Sequence, residues 1–323
     1  MRAVLCTTVG KVADLEITDL PSPPLAPGTV RVAVAAAGLN YVDALFVAGE
    51  YQIKPNPPFI PGSEVAGVIS EVAPDVSDRA VGDRVLVSCG LGGFASELVI
   101  AAQATTIVPD ALSLPAAATL TQSYCTALFA LRDRARLAAG EVVLVLGAGG
   151  GVGYAAIDVA GALGATSIAA ASTSEKQAHA LDAGAAQAFS VTPDTLKDLV
   201  RSETEGGVDV VVDPVGADLA EPALRTLREF GRYLVIGFAG GHIPTLPTNQ
   251  ILLRNRSVLG VDWGAWAMSH GGEQARLLDE ILTMVAKGDV RPPEPSSYAV
   301  DDVKEALDDL TGRRVVGKAV LTF

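Results

Sequence analysis

Three glycines spaced three residues apart, Gly147, Gly150 and Gly153, are the residues of this sequence best suited to bind a phosphate group. The first follows directly after the apolar run EVVLVL, which predicts a buried strand. The third lies in the first turn of an alanine-rich run, 151–163, which predicts a helix. Glycine lets the backbone approach a pyrophosphate without a Cβ in the way, and the free N–H groups of a helix N-terminus attract the anion. This strand–turn–helix unit therefore predicts a dinucleotide-binding site. Its candidate residues are Gly147, Gly150, Gly151, Val152 and Gly153.

The stretch that follows the next predicted strand bears on the choice between NAD and NADP. A carboxylate about twenty residues beyond the glycine turn would accept the ribose 2′-hydroxyl of NAD and would repel the 2′-phosphate of NADP. Here the chain has STSEK, which offers hydroxyl groups and an ammonium. Glu175 argues the other way, although a carboxylate at a helix start also suits the helix dipole. We expect NADP(H) as the cofactor, bound by Ser172, Thr173, Ser174 and Lys176.

Composition limits the class of protein and its partners. The chain of 323 residues is long for one core and suits two domains. Its net charge of −13 argues against a nucleic-acid partner, because phosphate binding needs a basic face. The most apolar stretch, 152–171, contains Asp158 and three glycines, which indicates a helix and a strand rather than a membrane span. With no signal peptide visible and three widely spaced cysteines interpreted as reduced thiols, we expect a cytoplasmic protein.

The order of the predicted elements gives the domain organisation. Residues 1–120 contain short strands, turns and many prolines, which favours a β-rich domain of barrel type. Residues 121–266 alternate apolar strands with helices, one of them expected to end at Gly231, which predicts an α/β fold with a parallel sheet. Residues 267–323 end in the isolated strand KAVLTF, which we expect to return to the first domain. The prediction is one domain from 1–120 and 267–323, and a second from 121–266.

Six stretches spread over the chain carry a family pattern: GLNYVDALFVAGEY, PFIPGSEVAGVISEV, VGDRV, GGFASELVI, GAGGGVGYAAIDVAGALGA and VDVVVDPVG. They resemble the medium-chain dehydrogenase/reductase superfamily, and within it the zinc-independent, zeta-crystallin-like quinone oxidoreductases. The resemblance implies a GroES-like catalytic domain, a Rossmann dinucleotide-binding domain and hydride transfer to a quinone or a related enone. It also implies a homodimer, with SVLGVD as the edge strand through which two copies pair.

The resemblance also bears on metal binding. Zinc-dependent relatives carry a cysteine and a histidine ligand at the positions of Asn40 and Ser63. An amide and a hydroxyl are poor substitutes for them, and a catalytic zinc needs three protein ligands. The four-cysteine lobe of those relatives has no counterpart here, and the three histidines have no metal-ligand spacing. We therefore expect no bound metal.

Five residues match family positions near the nicotinamide and the acceptor. The resemblance implies that Asn40 donates a hydrogen bond near the acceptor oxygen and that Tyr51 forms a wall and could donate a proton. Asp43 and Glu64 match the same region, but each is equally well interpreted as a structural carboxylate. Thr126 matches a threonine that meets the nicotinamide amide, although a hydroxyl at a helix start is also an ordinary cap.

Four further residues match cofactor-binding positions. Gly237 and Phe238 end a predicted strand at the carboxyl edge, where such sheets bind ligands, with core packing as the alternative for Phe238. Arg313 and Lys318 lie where relatives place a basic residue against the cofactor phosphates, with a solvated basic pair at 313–314 as the alternative.

The expected activity is NADPH-dependent, zinc-independent reduction of a quinone or a related enone. Reduction of an enoyl-CoA on the same scaffold is one alternative, although no obvious basic cluster is present for the CoA phosphates. An NADPH-binding sensor or structural protein without turnover is another. Trp263 and Trp266 either line an aromatic acceptor pocket or pack at a hinge or subunit contact.

Overall fold

The computed structural model describes residues 1–323, which form two compact units. Unit 1 comprises Met1–Gln122 and Pro292–Phe323, and unit 2 comprises Ser123–Arg291. No helix combines the length and the apolar composition that a membrane crossing requires. All three cysteines are free thiols.

Fifteen strands and eleven α-helices make up the chain. The strands are β1 Arg2–Leu5, β2 Glu16–Asp19, β3 Thr29–Leu39, β4 Glu64–Val72, β5 Arg84–Ser88, β6 Glu97–Ala101, β7 Thr105–Ile107, β8 Val142–Leu146, β9 Thr166–Ala170, β10 Gln187–Phe189, β11 Val208–Asp213, β12 Leu227–Val235, β13 Ser257–Gly260, β14 Ser296–Ala299 and β15 Ala319–Thr322. The helices are α1 Tyr41–Ala48, α2 Leu114–Ala117, α3 Thr126–Leu128, α4 Gly151–Ala162, α5 Ser174–Asp182, α6 Pro193–Glu203, α7 Ala220–Thr226, α8 Thr248–Leu252, α9 Trp263–Ser269, α10 Gly271–Lys287 and α11 Val303–Thr311.

Unit 1 is built around a seven-stranded sheet in the order β14-β15-β3-β4-β5-β7, with β6 also paired to β3. The long strand β3 is antiparallel to β4, β6 and β15. The pairing of β15 with β3 confirms the prediction that the last strand returns to the first domain. It also brings residues near position 318 beside residues near positions 39 and 64, because Ala319 is opposite Leu39 and Gly38 is opposite Glu64.

Unit 2 contains a six-stranded sheet in the order β10-β9-β8-β11-β12-β13, in which every pairing is parallel. The central strands β8 and β11 are buried almost throughout, as expected for strands covered on both faces. The parallel pairing of all six strands confirms the predicted parallel sheet. Because chain order reverses between β8 and β11, the loops after these two strands flank the topological switch point, where such sheets bind ligands.

Two sequence predictions are corrected by the structure. The second boundary between the units lies at Arg291/Pro292 rather than at 266/267, because α9 and α10 are bound into unit 2. Trp263 of α9 donates its indole N–H to Gln274, and Arg132 pairs with Glu280 of α10. The helix predicted to end at Gly231 ends earlier.

That helix, α7, ends at Thr226, and β12 already begins at Leu227. Leu227 is fully buried and is paired with Val208 of the neighbouring strand. Sheet pairing therefore overrides the helical pattern of the residues that follow. Phe230 within this strand adopts a positive φ of 60°, which is incompatible with a continued helix.

Candidate functional site

The glycine turn of unit 2 joins β8 to α4. Gly147 adopts a φ of 59°, and Gly150 precedes the helix in an extended conformation. A Cβ added to Gly153 would lie 2.4 Å from the Gly147 carbonyl oxygen and 2.7 Å from the Ala148 Cα. The helix thus rests directly on the turn, and the first N–H groups of α4, at Gly151 and Val152, follow without a side chain at Gly150. This backbone cradle fits a pyrophosphate.

Polar groups that could reach a ribose phosphate lie beside this turn. A Cβ added to Gly149 would lie 2.4 Å from the Cβ of Lys176, so the Lys176 stem crosses the turn in contact with the backbone. Thr173 caps α5 by accepting the Lys176 N–H at 3.2 Å. Ser172 and Ser174 are exposed on either side of it. Lys176 was predicted as a site residue, whereas Gly149 was not, although it begins an uninterrupted run of three glycines.

The carboxyl edge of the sheet also holds Gly237 and Phe238. A Cβ added to Gly216 would lie 2.9 Å from Cδ1 of Phe238, so the phenyl ring packs against the loop after β11. The same loop reaches the glycine turn, because a Cβ on Gly147 would lie 2.8 Å from Cγ2 of Val215. The structure therefore brings the two predicted edge residues to the loop that borders the glycine turn.

Asp213 shapes that loop and was missed by the sequence analysis as a site residue. It is buried, and its Oδ1 accepts the N–H groups of Val215 and Gly216, both at 2.8 Å. Tyr233 donates its hydroxyl to Oδ2. Burial raises the pKa of Asp213, while these donors oppose the rise. An acid directly after the apolar run VDVVV was the available signal.

Unit 1 contains a buried polar cluster, which we call the Glu64 cluster: Asn40, Ser63, Glu64, Thr121 and Lys318. Glu64 is only 1% exposed, and both carboxylate oxygens are fully engaged. Its Oε1 accepts Asn40 Nδ2 at 2.9 Å and Lys318 Nζ at 3.1 Å. Its Oε2 accepts Thr121 Oγ1 at 2.5 Å and the Gln122 N–H at 3.0 Å. Burying a carboxylate is costly unless it is paired and hydrogen-bonded in this way.

The ammonium of Lys318 is used entirely within this cluster. Besides Glu64, it donates to Asn40 Oδ1 at 2.5 Å and to the Leu39 carbonyl at 3.0 Å. An ammonium has three donors, and all three are occupied at a nine-tenths buried position. We therefore remove Lys318 from the predicted phosphate ligands. Arg313 is exposed after α11, and its role at the phosphates stays a prediction.

Asn40 and Asp43 together form the start of α1. Asn40 is the N-cap residue, and Asp43 Oδ2 accepts the Asn40 backbone N–H at 2.9 Å to complete a capping box. Asp43 is fully buried, which raises its pKa to about 7, whereas the Asn40 N–H and the Lys318 ammonium oppose the rise. The structure thus gives Asp43 a structural contact.

The remaining predicted residues lie elsewhere in their units. The ring of Tyr51 packs edge-on against Phe46, with centroids 4.9 Å apart. Thr126 is buried and opens α3, which has π-helical turns on both sides. Such turns are rare and occur frequently at functional sites. In unit 2, Trp266 stacks on both Phe129 and His270 at 4.7 and 5.4 Å.

The donor set at the positions of the zinc ligands does not fit zinc. Asn40 Nδ2 and Ser63 Oγ lie 3.3 Å apart and are hydrogen-bonded to each other. The ammonium of Lys318 is already present as the cation beside Glu64. No three histidine, cysteine, aspartate or glutamate side chains are grouped so that they could hold a metal ion. Zinc needs three or four such ligands.

These two units define a class of protein, a two-domain dehydrogenase or reductase. Residues 26–110 match the family model of the alcohol dehydrogenase GroES-like domain, and residues 151–280 match that of the zinc-binding dehydrogenases. Unit 1 is therefore GroES-like and unit 2 is a Rossmann-type domain, as predicted.

Relatives narrow this class. The bovine quinone oxidoreductase-like protein 2 is 38% identical over 324 residues, which span all of this chain and 92% of the relative. A mycocerosic acid synthase-like polyketide synthase of Mycobacterium tuberculosis is 31% identical over 97% of this chain and 15% of its own length. The Escherichia coli quinone oxidoreductase, solved in complex with NADPH, is 26% identical with a TM-score of 0.89 over the whole of both chains. This chain belongs to the quinone oxidoreductase branch of the medium-chain dehydrogenase/reductase superfamily, which confirms the predicted family.

Proposed function

We propose that the protein is an NADPH-dependent, zinc-independent reductase that transfers a hydride to a quinone or a related enone. The observation that carries this proposal is the group of hydrogen-bond donors beside the glycine turn, where Lys176 crosses Gly149 and Thr173 caps α5. No carboxylate takes the place of these donors at the end of β9. The quinone oxidoreductase of Escherichia coli, solved with NADPH, supports the same choice of cofactor.

Unit 2 would hold the cofactor. The turn at Gly147 and Gly150 and the first N–H groups of α4 would bind the pyrophosphate. Ser172, Thr173 and Ser174 would donate to the 2′-phosphate, and the Lys176 ammonium would neutralise it. Gly237 and Phe238 would border the nicotinamide half. When bound, NADPH supplies the hydride.

Unit 1 would supply the polar groups for the acceptor. One N–H of the Asn40 amide is committed to Glu64 at 2.9 Å, but the other makes only long hydrogen bonds, 3.3 Å to Ser63 Oγ and 3.5 Å to the Gly38 carbonyl, which an acceptor oxygen would replace. This second N–H is the group that would donate to a quinone oxygen. Tyr51 would bound the ring of the acceptor, and Thr126 of unit 2 would contact the nicotinamide amide.

The chemistry of the donor set supports the proposed zinc independence. Without a Lewis acid, an alcohol substrate has no group to stabilise its alkoxide. The acceptor must therefore be electrophilic already, as a quinone or an activated C=C bond is. We further propose that two copies pair through β13, at the edge of the sheet of unit 2, and that the protein works in the cytoplasm.

Reduction of an enoyl thioester is the second candidate, and the match to a polyketide synthase favours it. It would use the same cofactor and the same unit 2. A protein that binds NADPH without turnover is the third candidate. The experiment below separates all three.

The test follows NADPH oxidation by the purified, chelator-treated protein with a panel of quinones, a short enoyl-CoA and NADH as the alternative donor. Turnover of a quinone with NADPH, and much slower turnover with NADH, is the expected result. Turnover with the thioester alone would move the function to acyl reduction. NADPH binding without any turnover would leave the third candidate, and equally tight binding of NADH would overturn the choice of cofactor.

A further inference from the structure

The amide of Asn40 is held in one orientation by charged neighbours on both sides. Its Oδ1 accepts from the Lys318 ammonium at 2.5 Å, and its Nδ2 donates to Glu64 Oε1 at 2.9 Å. A flipped amide would place an N–H group against the ammonium and an oxygen against the carboxylate. Both contacts would be repulsive, since an ammonium only donates and a carboxylate only accepts.

Burying the Lys318 ammonium carries a large desolvation penalty, which only full pairing with acceptors can offset. Its Nζ is bound to Leu39, Asn40 and Glu64, and none of these bonds reaches a surface group. To neutralise the Glu64 carboxylate, the Lys318 ammonium would need only one of these three hydrogen bonds, the one to Glu64. The shortest of the three bonds, at 2.5 Å, is the one to the Asn40 amide oxygen.

We propose that Lys318 is a positioning residue for hydride transfer: its ammonium fixes the Asn40 amide so that the second N–H, which makes only a long 3.3 Å hydrogen bond to Ser63 Oγ, can donate to the acceptor oxygen instead. This inference rests on the proposed function, in which that N–H meets the acceptor. Lys318 does not touch the acceptor itself. A misplaced donor weakens the interaction that the reaction depends on, even when the donor is still present.

The test compares the unsubstituted protein with Lys318→Met, Asn40→Ala and the double variant. Lys318→Met is expected to lower kcat for quinone reduction by about tenfold, with the Kd for NADPH within about twofold because the cofactor is bound by unit 2. Adding Lys318→Met to Asn40→Ala is expected to cause little further loss of kcat, because the lysine acts through the amide. Lys304→Met is the matched control: this lysine of unit 1 donates to the Ala13 carbonyl at 2.7 Å, outside the cluster. It is expected to keep kcat.

The overturning results are equally specific. Unchanged kcat in Lys318→Met, or losses that multiply in the double variant, would show that Lys318 does not act through Asn40. Urea unfolding of the same four proteins adds a readout that needs no activity. The shift in midpoint of the double variant should be smaller than the sum of the single shifts, and additive shifts would overturn the inference.

Failure of the proposed function is distinguishable from failure of the inference. If the unsubstituted protein oxidises no NADPH with any acceptor, the proposed function fails, and the unfolding comparison alone decides whether Lys318 holds Asn40. If Lys318→Met does not fold because it leaves Glu64 uncompensated, Lys318→Met with Glu64→Gln removes both charges. This variant is expected to show the same loss of kcat, and full activity in it would contradict the proposal.

Discussion

At the scale of single residues, Lys176 is the side chain on which we expect the preference for NADPH over NADH to depend. Its stem packs on Gly149, and its ammonium is the only side-chain cation of the STSEK stretch. Lys176→Met keeps the packing of the stem and removes the charge. We expect the Kd for NADPH to rise about tenfold to hundredfold, the value of one charge-assisted hydrogen bond, while the Kd for NADH stays unchanged.

Fluorescence titration of both cofactors checks this prediction. Lys197→Met is a suitable control, because Lys197 is a partly exposed lysine of α6 whose ammonium pairs only with Asp198, at 3.0 Å. Equal weakening of NADPH and NADH in Lys176→Met would mean that the lysine supports the fold of the turn rather than the recognition of the phosphate.

Asp43 makes the stability of the protein depend on pH in an unusual direction. Burial raises its pKa to about 7, whereas the unfolded chain titrates near 3.8, so between these values the folded protein holds a proton that the unfolded chain has released. The free energy of unfolding should therefore fall as the pH rises from about 4 to about 7, by up to about 1.4 kcal/mol per pH unit, and level off above that range.

Urea unfolding across this pH range, with Asp43→Asn as the comparison, isolates the contribution. The amide still offers an oxygen to the Asn40 N–H but does not titrate. The difference in unfolding free energy between the two proteins should change with pH in the sense just given. A pH-independent difference would mean that Asp43 stays ionised when buried, paired by its neighbour Lys318.

Which site residues could be predicted depended on how far apart they lie in the chain. The glycine turn and the STSEK stretch belong to a single strand–helix–strand unit, so local pattern was sufficient. The Glu64 cluster joins residues 40, 64 and 318, which meet only through the pairing of β3 with β4 and β15. Nothing local to Lys318 distinguishes a phosphate ligand from an internal cation, so its bonds to Leu39, Asn40 and Glu64 could not be predicted from the sequence.

At the scale of elements, the contact between α4 and the glycine turn fixes the helix N-terminus. A Cβ on Gly153 would clash with backbone atoms of Gly147 and Ala148. Unlike a side chain, this backbone cannot relieve the clash by changing rotamer. Gly153→Ala should therefore push the helix away from the turn. We expect a loss of about 1–3 kcal/mol in unfolding free energy and weaker binding of NADPH and NADH alike.

Gly161→Ala is the matched control on the same helix, since a Cβ there meets no atom within 4 Å. It should leave cofactor binding unchanged and be neutral or stabilising by about 0.5–1 kcal/mol. Thermal unfolding and NADPH titration of both variants make the comparison. Equal behaviour of the two alanine variants would contradict the close-packing argument.

Elements were predicted best where one period dominated a long run. The strand β8 and the helix α4 lie close to their predicted positions. The pattern failed for α7, because the buried Leu227 belongs to a strand although its neighbours suit a helix. Helix α1, with its capping box at Asn40 and Asp43, was not predicted, and its signal was the spacing of those two residues.

At the scale of the whole molecule, the chain leaves and re-enters the GroES-like unit, and this order explains the misplaced boundary. Unit 2 ends directly before the proline-rich stretch at 292–295, and contacts within unit 2 hold α10 in place. The resemblance supplied the family and the fold together, and the relatives bear both out. The homodimer that the resemblance implies stays a prediction.

The edge of the sheet of unit 2 offers an apolar surface for the proposed association. Strand β13 has a neighbour on one side only, and Leu252 and Leu253 just before it are 77% and 58% exposed. Phe230, also exposed, donates its N–H to the Arg254 carbonyl at 2.9 Å, which places it beside this turn. An open apolar edge of this kind is usually covered by a partner.

We therefore expect a homodimer that is disrupted by Leu252→Glu together with Leu253→Glu, since two buried carboxylates in each copy would meet at the interface without partners. Light scattering after size-exclusion chromatography should give twice the mass of the 33.1 kDa chain for the unsubstituted protein. For the double variant it should give the mass of one chain. Val81→Glu, at a position 66% exposed in unit 1, should leave the dimer intact. A monomeric unsubstituted protein, or a dimer that survives both glutamates, would show that β13 is not where two copies meet.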